Sequence, residues 1–178
     1  MFPVPLPLPK PHEVAHPAAH HAPAPPRKPD PFGLYDSAQW QAIPGGVNQA
    51  VYADGAYAAP PSAAKGHLHT LWIDVTGDDP HANVLDVEKY DASPDQAGPW
   101  AAEAERDHPD SPTIVYSAND TLHQAEISVA EYHITVKWWV ASPTQEPHSV
   151  GGADAAQWQW NKNYNVSETN PDFFSGHP

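Results

Sequence analysis

The sequence predicts an α/β protein, a largely parallel sheet with helical connections, preceded by an extended proline-rich arm. Three observations lead to this. Residues 1–31 hold 11 of the 23 prolines, and the pattern changes at Phe32. From there, short apolar runs are separated by turn residues, as strands are. In the second half these runs alternate with two helical stretches, and the order strand, helix, strand, helix, strand belongs to a sheet with parallel neighbours.

The arm comes first. Met1-Phe2-Pro3-Val4-Pro5-Leu6-Pro7-Leu8-Pro9 favours polyproline II, and alternating prolines forbid a helix. It has neither the basic start nor the unbroken apolar run of a signal peptide. Phe2, Val4, Leu6 and Leu8 offer apolar anchors to a protein partner on a preformed backbone. His12, His16, His20 and His21 fall at helical spacings, but Pro11 and Pro17 break any such helix, so no metal site is expected there.

Residues 32–178 form the second unit. Strands are expected over 33–38, 49–54, 70–76, 83–88, 113–118, 135–141 and 155–160; several are continuously apolar, as strands buried on both faces are. The connections of the first half are short and rich in Pro and Gly, too short for full crossover helices. Ser93-Pro94-Asp95-Gln96 supplies an N-cap, a first-turn proline and early acidic charge for a helix over 100–106. Asn119-Asp120 precedes a second helix over 121–132.

Composition narrows the function. With 178 residues, 40% of them hydrophobic and seven Trp, the chain can bury a core of one domain's size. A formal charge of −14 repels nucleic-acid phosphates and anionic lipid, so neither nucleic acid nor a membrane surface is an expected partner. The absence of Cys removes disulfides, thiolate metal sites and thiol nucleophiles. No apolar run approaches the roughly 20 residues of a membrane span.

The acids at strand ends carry the chemistry. Leu85-Asp86-Val87-Glu88 closes a buried strand, and alternation puts Asp86 and Glu88 on one face, about 7 Å apart along it. Gly33-Leu34-Tyr35-Asp36-Ser37 and Trp72-Ile73-Asp74-Val75 deliver two further acids, Asp36 and Asp74. Acids from three strand ends would meet at one barrel mouth, where α/β barrels keep their acid and base groups. Glycosidic cleavage uses a proton donor of raised pKa and a second carboxylate that stays ionised. Taken singly, each Asp fits a turn or cap equally well.

Leu34-Tyr35-Asp36-Ser37 with Ile43-Pro44-Gly45-Gly46, then Ala50-Val51-Tyr52-Ala53-Asp54-Gly55, then Val84-Leu85-Asp86-Val87-Glu88 with Asp91-Ala92-Ser93-Pro94, follow one another along the chain. Ile114-Val115-Tyr116-Ser117, Trp138-Trp139-Val140-Ala141, Ala156-Gln157-Trp158, and Glu168-Thr169-Asn170 with Phe173-Phe174 complete the series. In order and spacing it resembles the small glycoside hydrolase family 25-like (lysozyme-like) barrels of actinobacteria and their phages. The resemblance covers residues 32–174. It implies a shortened or incomplete TIM-type (β/α) barrel, because the body falls short of the roughly 200 or more residues usual for eight α/β units. It implies Glu88 as general acid with Asp86 and Asp36 assisting, and Tyr116, Trp139 and Gln157 at the sugar site; Asp74, the remaining strand-end acid, is expected to bind substrate beside them, and no cofactor is expected. Glu168 stands where the family's closing motif has Asp.

Two functions follow as expectations. The favoured one is an accessory protein of a phage particle, in capsid decoration or tail, that resides in the virion. Residues 1–31 anchor it to the assembly and the barrel keeps some capacity for cell-wall glycan. The alternative is an active peptidoglycan muramidase, secreted or cell-wall associated, that cleaves the β-1,4 bond after N-acetylmuramic acid. A soluble sugar-binding module with no assembly role is a third.

Overall fold

The computed structural model describes residues 30–79 and 81–176. Its strands are β1 (Gly33–Asp36), β2 (Asn48–Tyr52), β3 (Thr70–Asp74), β4 (Val84–Val87), β5 (Ile114–Ser117), β6 (Lys137–Ala141), β7 (Ala155–Gln159) and β8 (Asn165–Thr169). The helices are α1 (Ala97–Asp107) and α2 (Leu122–Glu131). The eight strands close into one mixed barrel in sequence order. Strands β1 to β7 run parallel. Strand β8 runs antiparallel to both β7 and β1 and closes the ring.

All seven expected strands are present, each shorter than expected at one end or both. The eighth, β8, was not anticipated. The expected shortening of the barrel therefore does not fall on its strands: the ring is complete. What is reduced is the outer layer. Among the described residues it holds two α-helices and four short 3-10 turns.

Alternation along the strands sorts the residues into an inside and an outside. Leu34, Ala50, Leu71, Ile73, Val84, Ile114, Tyr116, Trp139, Ala141, Ala155 and Phe173 pack as the interior. On the outside, Leu85, Val87 and Val115 meet Trp100, Ala101 and Ala104 of α1 and Ala125 and Val129 of α2. Among the described residues no α-helix covers β1 and β2; Val51 and Tyr35 pack instead under Ile43, Val47, Trp40 and Tyr164 from the short connections.

The helices cover β4 and β5 closely because of Gly98. A Cβ at that position would lie 2.3 Å from the Ser128 carbonyl oxygen. With no side chain there, the Gly98 N–H donates to Ser128 Oγ at 3.0 Å. The expected cap is present as a capping box: Ser93 and Gln96 bond reciprocally around the turn that leads into α1.

The carboxyl ends of β1 to β7 define a mouth and their amino ends a base. Strand β8 starts at the mouth, with Asn165 opposite Asp36, and ends at the base, with Glu168 opposite Gly33. There Lys137 Nζ donates to the carbonyls of Asp172 and Ser175, which pins the segment after β8 beneath the barrel. At the other end of the chain, Asn48 Nδ2 donates to the Pro31 carbonyl at 3.0 Å, and the Gly33 N–H donates to the Asp30 carbonyl at 3.1 Å. Among the described residues the barrel's bonds begin at Asp30. Phe2, Val4, Leu6, Leu8 and the histidines at 12, 16, 20 and 21 lie outside the described residues. No helix among the described residues is long and apolar enough to cross a membrane.

Candidate active site

At the mouth lies a cavity of about 150 Å³ lined by Asp36, Tyr52, Ile73, Asp86, Glu88, Tyr116, Trp139, Gln157, Trp160 and Asn165. The strand pattern explains which acids reach it. Leu34 and Val84 point inward, so Asp36 and Asp86, two residues on, point inward as well. Glu88, two further on and just past the end of β4, does the same from the rim.

Asp74 obeys the same rule with the opposite result. Ile73 faces the interior, so Asp74 faces out, and it is not part of the cavity wall. Its Oδ1 accepts from the backbone N–H of Thr76 and of Gly77, both at 2.8 Å. Its Oδ2 accepts from the Asp79 N–H at 2.8 Å and from Trp100 Nε1 at 3.0 Å. Asp74 orders the loop after β3 and ties it to α1. The expected convergence of three strand-end acids reduces to two strands, β1 and β4.

Asp36 is 4% exposed and held from both sides. Asn165 Nδ2 donates to its Oδ1 and Gln157 Nε2 to its Oδ2, each at 2.9 Å. Burial pushes its pKa up to about 6, against the pull of these two amides, and the Glu88 charge adds a smaller push in the same direction. Gln157 cannot turn over to break this arrangement, because its Oε1 accepts from the Tyr116 hydroxyl at 3.1 Å and from Trp160 Nε1. Trp139 closes the floor. Its ring meets Tyr116 edge-on at 4.8 Å, and its Nε1 donates to Ser167 Oγ at 2.9 Å.

Asp86 and Glu88 sit closer than strand spacing alone suggests, with carboxylate oxygens within 4.8 Å of each other and of Asp91. Burial raises the Asp86 carboxyl well above the usual range, and the charges of Glu88, Asp91 and Asp36 raise it further. Burial also raises Glu88, the nearby Tyr116 hydroxyl lowers it, and Asp91 and Asp120 raise it. The single Tyr116 proton goes to Gln157, where the bond is formed. Burial drives the Tyr116 hydroxyl itself far from ionisation, with the acids adding to the effect, so it acts as a neutral donor.

Of the expected site residues, Asp36, Asp86, Glu88, Tyr116, Trp139 and Gln157 all line this cavity. Tyr52, Ile73, Trp160, Asn165 and the neighbouring Asp91 were not anticipated. Glu168 points away from the cavity, near the base, where burial and then Asp30 raise its carboxyl. Around the open rim stand Trp160, 52% exposed, and Tyr90, 91% exposed. Tyr57 lies against Tyr52 with ring centroids 6.2 Å apart.

An inward-facing set of acids whose pKa values are raised by burial and by one another can hold a proton near neutral pH beside a second, oriented carboxylate. Compared with protein-family models, curated proteins and solved structures, the chain gives no match to any of the three.

Proposed function

We propose that the barrel is a carbohydrate-hydrolysing domain of the muramidase type that works at this mouth. The observation that carries the reading is the convergence of Asp36, Asp86 and Glu88 on one cavity walled by Tyr116, Trp139 and Gln157. Glu88, half-buried at the rim, is the acid that can reach a glycosidic oxygen, and its raised pKa keeps it protonated further toward neutrality than a free glutamate. Asp86 lies buried beside it, so the two like charges resist ionising together. Asp36, oriented by two amides and ionised above about pH 6, faces the positive charge that develops at the anomeric carbon.

A cavity of about 150 Å³ accepts one ring-sized unit. The rest of a saccharide chain would run over the rim aromatics Tyr57, Tyr90 and Trp160. On this reading the fold is a reduced (β/α) barrel, supported by the parallel order of β1 to β7 and by a site at the carboxyl ends of the strands.

The deciding experiment is digestion of purified peptidoglycan by the full chain beside Glu88→Gln, with the soluble fragments identified by mass spectrometry. Release of fragments with a reducing N-acetylmuramic acid end, lost in the variant, is the expected result. Fragments at equal yield from both proteins, or from neither, would sink the hydrolase reading.

A second reading concerns the biological setting. Eleven of the 23 prolines fall within residues 1–31, together with the apolar set Phe2, Val4, Leu6 and Leu8. That composition supports attachment to a protein assembly, a capsid or tail in the favoured case, with the barrel displayed from it.

A further inference from the structure

Asp86, Glu88 and Asp91 each offer one carboxylate oxygen, and the three lie within 4.8 Å of one another. A tight turn makes this possible. Tyr90 takes a left-handed φ of 84°, a strained conformation for a residue other than glycine. The Asp91 N–H donates to the Glu88 carbonyl at 3.2 Å, and the Ala92 N–H donates to the Asp86 carbonyl at 3.1 Å. The strand end thus folds back on itself and sets Asp91 beside the other two.

An independent observation concerns Asp86. The residue is 5% exposed and lines the cavity, yet its Oδ1 has no hydrogen-bond partner among the described residues. Asp36 and Asp74, equally buried acids on neighbouring strands, are each supplied with donors on both oxygens. A buried carboxylate oxygen without a donor is expensive, and this carboxyl lies beside two more acids. Among the described residues no ion pair offsets the charge. Lys89 Nζ lies over the Tyr90 ring, 4.9 Å from its centroid. The ion pairs among the described residues involve only Arg106 and His123, on the two helices.

We propose that Asp86, Glu88 and Asp91 hold a hard divalent cation at the barrel mouth, with Ca²⁺ the best fit. The donor set is all oxygen, carries three negative charges and contains no nitrogen or sulfur, which selects Ca²⁺ or Mg²⁺ over zinc and copper. A strand end and a turn supply irregular geometry, which Ca²⁺ tolerates and Mg²⁺ does not. Exposed Asp91 leaves the outer side of the ion open to water. The ion competes with the proton on Glu88, so the cation-bound mouth and the proton-donating mouth are alternative states. Cation binding itself does not rest on the hydrolase reading.

The test is titration of the full chain, freed of metal by chelator, with Tb³⁺. Excitation of Trp139, Trp160 and Tyr116, which line the same cavity, sensitises emission from an ion held there. Expected are saturable emission at one ion per chain, reversal by Ca²⁺ at lower concentration than by Mg²⁺, and loss of the signal in Asp86→Asn. Asp91→Asn, a surface change that leaves the core intact, should weaken binding by roughly tenfold or more, since loss even of an outer-shell partner costs that much. Glu131→Gln on exposed α2 should change nothing. Absence of saturable emission overturns the proposal. So does emission that Asp91→Asn leaves unchanged, or that Glu131→Gln reduces as much as Asp91→Asn does, for then the ion sits diffusely on an acidic surface. Hydrolysis enters none of these readouts, so either idea can fail without the other.

Discussion

Replacing Asp36 with Asn should make the barrel more stable at neutral pH, and the size of the gain follows from the site. The carboxyl moves from an ordinary pKa of 3.8 to about 6 on folding, so the folded state binds its proton more tightly than the unfolded chain does. The stability this contributes is complete below the unfolded value and is lost as pH rises through the folded one. By about pH 7 the loss amounts to about 3 kcal/mol. Asn mimics the protonated acid, so around pH 3.5 the two proteins should agree to within about 1 kcal/mol, the worth of one rearranged hydrogen bond. The rearrangement falls on Asn165, since Gln157 is locked by Tyr116 and Trp160. Removing the Asp36 charge also relieves Asp86, which shifts the balance the same way. Urea unfolding in chelator, from about pH 3.5 to 7.5, should show the curves diverging, with the variant roughly 2–3 kcal/mol more stable at the upper end. Parallel curves would refute the claim that Asp36 is buried at the cost of its ionisation.

Gly98→Ala should lower the melting temperature. The added Cβ would meet the Ser128 carbonyl oxygen at 2.3 Å and Tyr132 Cδ2 at 2.6 Å, and forcing α1 from α2 costs about 1–3 kcal/mol. An unchanged or raised melting temperature would mean that alanine's better helix propensity outweighs the contact. Deleting residues 2–29, which spares the bonds at Asp30 and Pro31, should leave a folded barrel that no longer co-purifies with the assembly proposed for it. Full occupancy of the truncated chain in a purified particle would exclude residues 1–31 as the anchor.

The sequence announces strands where apolar residues run together, so β1 to β7 could be placed from Leu34, Val51, Ile73, Val84, Ile114, Val140 and Ala156 outward. It hides β8. Asn165-Val166-Ser167-Glu168-Thr169 reads as loop by hydropathy, yet Ser167 is fully buried because Trp139 Nε1 donates to it, and Asn165 is drawn in by Asp36. Those partners lie far away in the chain, as does the pairing of β8 with β1 that closes the ring. The site shows the same division. Asp36, Asp86 and Glu88 were legible as strand-end acids, but nothing local separates them from Asp74. Leu34, Ile73 and Val84 all face the interior, and the distinction lies in whether the acid stands two residues further on, as Asp36 and Asp86 do, or one, as Asp74 does; which apolar residue faces inward is set by the register of the whole barrel. Asn165 was lost along with its strand, and Trp160 became a rim residue only because the chain turns there after β7.

The reversed eighth strand also decides which way the molecule faces. Had β8 run with the others, the chain would leave from the mouth, beside the acids. Because it runs back, the chain enters at Asp30 and departs after Thr169 on the same side, with Lys137 holding the departing segment underneath. Anything joined at Asp30 or beyond Thr169 therefore starts from the foot of the barrel, on the side away from the acids. A copy immobilised or fused through either of those points should carry its acids on the far side from the attachment.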